Sequence, residues 1–125
     1  MRIGELSKRT GVSPRSLRYY EEQGLLTSSR SAAGQRHYSG AVVERVSLIR
    51  QLFDAGMSSR VIASVLPCAD VPGDLDVAEE TFATMTRERD RIDADIAHLI
   101  ETRAALDVLI KANGRHRAEL SAAPA

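Results

Sequence analysis

One cysteine, no tryptophan and an aromatic share of 4% are the scarcest features of this 125-residue chain. The lone thiol, Cys68, excludes an intramolecular disulfide framework and an intrachain multi-cysteine zinc site. No stretch approaches the roughly 20 apolar residues of a membrane helix, and Met1-Arg2-Ile3-Gly4-Glu5 lacks the apolar run of a signal peptide. The expectation is a soluble, cytoplasmic chain with no membrane partner. No Ser/His/Asp or Cys/His arrangement, Walker loop or metal-carboxylate cluster is visible, so neither an enzyme nor a resident metal or cofactor is expected. The length suits one domain, or a small domain plus an extended element.

Net charge is absent as well, since 17 basic side chains meet 17 acidic ones. The balance conceals a split. Residues 1–60 hold ten basic groups against five acidic, and residues 61–125 hold seven against twelve. A basic first half joined to an acidic second half points the first toward a polyanion.

Within that basic half, three helix starts share one pattern. Ser13 precedes Pro14, with Val12 and Leu17 spaced as a hydrophobic staple; Tyr38-Ser39 with Val43 and Met57-Ser58 with Ile62 repeat it. Helices are therefore predicted to start near residues 14, 40 and 59. An earlier helix from Ile3 to Thr10 ends at Gly11, and the second runs to Gln23 before Gly24. Helix, short glycine turn and helix is the helix-turn-helix layout. Residues 27–38 lack a helical period and turn around Gly34, which reads as a short β-hairpin, or wing. Val42, Val46, Ile49 and Phe53 then form one helical stripe, and a short helix from Ser59 to Leu66 precedes Pro67.

Residues 67–74 have the composition of a linker. Beyond them Ala78, Phe82, Met85, Arg89, Ile92, Ile96, Leu99, Arg103, Leu106 and Ile110 alternate steps of 4 and 3. That repeat is the seam of a coiled coil on a helix over 75–113, roughly 55 Å long. So long a stripe needs a partner helix, most simply its own copy. Asn113-Gly114 is predicted to stop the helix, leaving residues 114–125 as a flexible tail.

On the second helix a 100° wheel puts Leu17, Tyr20 and Gly24 on one side. Arg15, Arg18, Tyr19 and Glu22 fall on the other, with Ser16 at its edge. Two Arg and a Tyr near a helix start suit a major-groove reader. Glu21 and Glu22 oppose phosphate approach at the far end. The wing adds Arg30, Arg36, His37 and Tyr38, fit for the DNA backbone or minor groove.

Residues 1–66 resemble the DNA-binding domain of MerR-family transcriptional regulators. The resemblance rests on Ile3-Gly4-Glu5-Leu6, Thr10-Gly11-Val12-Ser13, Leu17-Arg18-Tyr19-Tyr20-Glu21, Gly24-Leu25-Leu26, Arg30, Gly34-Gln35-Arg36-His37-Tyr38, and Ile49 through Ala55-Gly56-Met57-Ser58. It implies a mainly α fold: a winged helix-turn-helix head and a long C-terminal helix in an antiparallel coiled coil with a second chain. It further implies a homodimer that binds a dyad operator in a promoter spacer and distorts the DNA for RNA polymerase holoenzyme. By position, Arg18, Tyr19, Arg36 and Tyr38 match backbone contacts, Arg15 and Ser16 are placed near bases, and Arg60 matches a further backbone-contacting region. Ser28 departs from the proline common there, which loosens the expected entry to the wing.

The signal is less legible. Metal-sensing relatives use two or more Cys, and drug-sensing relatives append a large ligand domain; neither fits Cys68 alone and a short tail, short of a site completed by His98, His116 or a second protomer. Cys68 as a thiol sensor, an unknown small-molecule effector, and constitutive action remain open. An excisionase-like or architectural winged-helix protein is the alternative function, and a coiled coil that binds a different protein is a third.

Overall fold

A computed structural model describes residues 1–124 as six helices and one hairpin. In chain order these are α1 (Ile3–Thr10), α2 (Pro14–Glu22), β1 (Ser29–Arg30), β2 (Arg36–His37), α3 (Val42–Asp54), α4 (Ser59–Val65), α5 (Pro67–Asp70) and α6 (Leu75–Ala122). The chain divides into two units, Met1–Thr84 and the part of α6 beyond it.

Local hydrogen bonds explain most of the first unit's boundaries. Ser13 Oγ accepts from the Ser16 N–H and Ser58 Oγ from the Val61 N–H, satisfying donors that a helix start leaves orphaned. Gly11 closes α1 at φ 73°, a left-handed conformation that a Cβ penalises, with its N–H on Ser7 O. Asp74 Oδ1 accepts from the Val77 N–H at 3.2 Å at the start of α6.

The buried side chains form one cluster. Leu6 of α1, Leu17 and Tyr20 of α2, Val46, Ile49 and Leu52 of α3, and Ile62 and Val65 of α4 meet there with Val12, Leu25, Leu26, Tyr38 and Leu66. Val42 and Phe53, the ends of the predicted stripe on α3, are only partly buried, and Leu52 takes the inner position instead. The Phe53 ring stacks on Tyr20 at 5.4 Å between centroids.

Three expectations need correction. Ser39 does not cap α3, which starts at Val42 without a side-chain cap; the Val42 and Val43 N–H groups bond to Ser39 O and Gly40 O in a backbone turn. The predicted linker over 67–74 contains the single turn α5, tied back when Arg45 Nη1 of α3 meets Asp70 Oδ1 at 2.5 Å. Helix α6 passes through Asn113-Gly114 and ends at Ala122, so the helix bound of 113 and the flexible tail from 114 do not hold. One interior glycine costs only about 1 kcal/mol, and the strong helix formers around it outweigh that. The end of that expected tail, residue 125, lies outside the described residues.

Beyond Thr84, α6 carries its apolar stripe in the open on the single chain. Ile96, Leu99, Leu106 and Ile110 are 51%, 65%, 55% and 58% exposed. Phe82, Met85 and Ile92 are exposed as well, as are Arg89 and Arg103.

Candidate nucleic-acid interface

Burial of Leu17 and Tyr20 against the core turns the opposite face of α2 outward. Arg15, Arg18, Tyr19 and Glu22 are exposed on that face, as the wheel predicts. Ser16 sits at the start of α2, where its hydroxyl accepts from Ser13 Oγ at 3.1 Å. Tyr19, 43% exposed, lies 6.5 Å from the Phe53 ring between centroids. The Arg60 side chain is exposed at the start of α4.

The hairpin brings the second set of cations. Its register pairs Ser29 with His37 and Arg30 with Arg36. Directly opposed residues share a face of a two-stranded sheet, and like charges there repel. Arg30 relieves part of this by donating from Nη1 to Gly34 O at 2.8 Å. Arg36 relieves the rest through Glu21, whose Oε2 lies 3.2 Å from Arg36 Nε. Glu21 also accepts a hydrogen bond from Ser28 Oγ, so the wing's entry is tethered where the missing proline predicted looseness.

Arg18 and Arg36 line an open groove of about 780 Å³ together with Arg2, Lys8 and Gln35, and with Ile3, Gly4 and Glu5 of α1. Four cations and one carboxylate border it. Arg15, Arg30 and Arg60 do not line this groove. Arg2, Lys8 and Gln35 are the members that sequence reasoning missed. The exposed side of α1 carried the signal, because Ile3 and Leu6 facing inward leave Lys8 outside.

Tyr38 requires the clearest correction. Matched to a DNA-backbone contact, it is instead a core residue only 2% exposed. Its backbone joins the N-terminus to the wing: the Met1 amino group donates to Tyr38 O at 2.6 Å, and the Tyr38 N–H to Met1 O at 2.7 Å. The buried hydroxyl has no hydrogen-bond partner among the described residues. Burial pushes its pKa above the ordinary tyrosine value and Glu21 adds to this, while Arg36, Arg18 and Arg30 pull the other way.

Elsewhere, Cys68 is half-buried on α5. Among the described residues no three His, Cys, Asp or Glu side chains gather as a metal site would require. No helix is long and apolar enough to cross a membrane among these residues either. What the head can do chemically is hold a polyanion against an outward helix face and a cationic wing.

Comparison with known proteins agrees with that architecture. Over 97 residues the chain is 37% identical to an HTH-type transcriptional activator, a SoxR homolog of Chromobacterium violaceum, covering 74% of this chain and 64% of that protein. It thus spans less than two thirds of that relative's length. Its structure is similar to the transcription regulator PbrR691 from Ralstonia metallidurans CH34 in complex with lead(II), with a TM-score of 0.81 and 27% identity over 89% of this chain and 86% of that one. It shares its fold with HiNmlR, a MerR family regulator lacking the sensor domain and bound to promoter DNA, at a TM-score of 0.59 and 24% identity, covering 97% and 89% of the two chains. The family model described as MerR HTH family regulatory protein matches residues 1–67. With more than half of its length so matched, the chain belongs to the MerR HTH family.

Proposed function

We propose that the protein is a sequence-specific, DNA-binding transcriptional regulator. The observation that carries this reading is the groove bordered by Arg2, Lys8, Arg18 and Arg36, beside a helix face that offers Arg15, Ser16 and Tyr19. Phosphate contacts from the groove and wing would set register on the duplex, and Arg15 with Ser16 would meet base edges. Arg30 on the wing and Arg60 at the start of α4 would add further cations.

The working form in this reading is a homodimer. Exposed Phe82, Met85, Ile92, Ile96, Leu99, Leu106 and Ile110 supply a seam that water would otherwise cover, and Arg89 and Arg103 set its register. Two heads on one seam bind a dyad operator in the cytoplasm. Bending and untwisting a promoter spacer then alters its use by RNA polymerase holoenzyme. A small-molecule effector would act on that equilibrium, and no cofactor is invoked.

Genome-wide mapping of binding sites, followed by footprinting of the purified chain, tests the reading. Two symmetric half-sites between promoter elements are expected. Protection spread along DNA without a dyad would replace regulation with an architectural role.

A further inference from the structure

The wing guanidinium of Arg36 is paired with a carboxylate of α2. The shortest contact of the ion pair is Arg36 Nε to Glu21 Oε2 at 3.2 Å, and among the described residues the two Nη nitrogens make no hydrogen bond. The Arg36 side chain is 40% exposed and Glu21's only 18%, so the carboxylate lies beneath the cation it grips. Its other oxygen accepts from Ser28 Oγ. One acidic residue in the last turn of α2 therefore binds the approach to β1 and the first residue of β2.

We propose that Glu21 is a positioning residue for DNA binding, which aims the free fork of Arg36 into the groove and fixes the wing on α2. This rests on the DNA-binding reading above. A nearby carboxylate would ordinarily repel phosphate, as the sequence alone suggests. Two features reverse that effect here. Glu21 spends its charge on Nε and a hydroxyl, and a long flexible side chain held in one orientation loses less freedom when it binds. The outward Nη pair keeps the planar geometry that matches phosphate oxygens. Opposed Arg30 would otherwise push Arg36 away from the face the two share.

A double-mutant cycle on a random-sequence DNA duplex, read by fluorescence anisotropy, tests this. Glu21→Ala should weaken binding about fivefold, the upper end for a partly exposed ion pair. Glu21→Gln, whose single carbonyl oxygen can still face Nε while its NH2 can donate to Ser28 Oγ, should bind within about twofold of wild type. In an Arg36→Ala background Glu21→Ala should cost clearly less than in wild type, leaving only the loss of the Ser28 tether. Arg36→Lys, a surface change that keeps the charge but not the divided fork, should lose about as much as Glu21→Ala. Tighter binding by Glu21→Ala, an equal loss with Arg36 already removed, or wild-type affinity in Arg36→Lys would each overturn the proposal. Failure of the DNA-binding reading looks different: the wild-type chain itself would not bind the duplex.

Discussion

Replacing Arg18 with alanine isolates the electrostatic part of the mechanism. Arg18 lies on the exposed face of α2 and lines the groove, and it supports no core packing. Alanine is the better helix former, so α2 should keep its structure. Each phosphate contact contributes about 0.9 to the slope of log K against log salt, so in the proposed homodimer one lost contact per head lowers the slope by about 1.8. Between about 50 and 200 mM salt, wild type should then lose roughly 12-fold more affinity than the variant. Anisotropy titrations on operator and random duplex across that range measure the difference. Both duplexes should respond alike. An unchanged slope, or a loss confined to one base position of the operator, would refute a phosphate-contacting Arg18.

Tyr38→Phe removes a buried hydroxyl that has no partner, so stability should rise by about 1 kcal/mol and DNA affinity should stay the same; a fall in affinity would return Tyr38 to the interface. Because the folded chain raises the Tyr38 and Tyr20 pKa values, their contribution is intact below the ordinary tyrosine value near 10 and is lost as pH climbs past it. Thermal melts should accordingly weaken in alkali, less so for Tyr38→Phe. Ile96→Asp places a charge mid-seam and should give a monomer in sedimentation equilibrium; a dimer would dismiss the register assigned to α6. Ser58→Ala deletes the hydroxyl that caps α4 and should cost about 1 kcal/mol in denaturant melts, with no change in the salt slope.

Features that depend on near neighbours in the chain were legible before any fold was known. Ser13 before Pro14 and Ser58 before α4 mark helix starts, because a hydroxyl and an N–H three residues on complete a bond whatever else surrounds them. The outward face of α2 follows equally well from the positions of Leu17 and Tyr20. Local reading overreached at Gly114, where a modest penalty was given the force of a stop. It also overreached at Ser39, where backbone carbonyls serve the donors that a hydroxyl was expected to serve.

Sequence by itself therefore determined the helix-turn-helix order, the wing and the exposed seam of α6, since periodicity and capping act over one or two turns. Only tertiary structure decided the rest. It sank Tyr38 into the core, brought Arg2 and Lys8 to the same groove as Arg18 and Arg36, and turned Glu21 from an obstacle into the partner of Arg36. Arg45 likewise meets Asp70 only because α3 and α5 pack together. The physical reason is common to all of these. Charge and burial depend on which distant segments share a small volume, and packing of the apolar core selects those segments without regard to their separation in sequence.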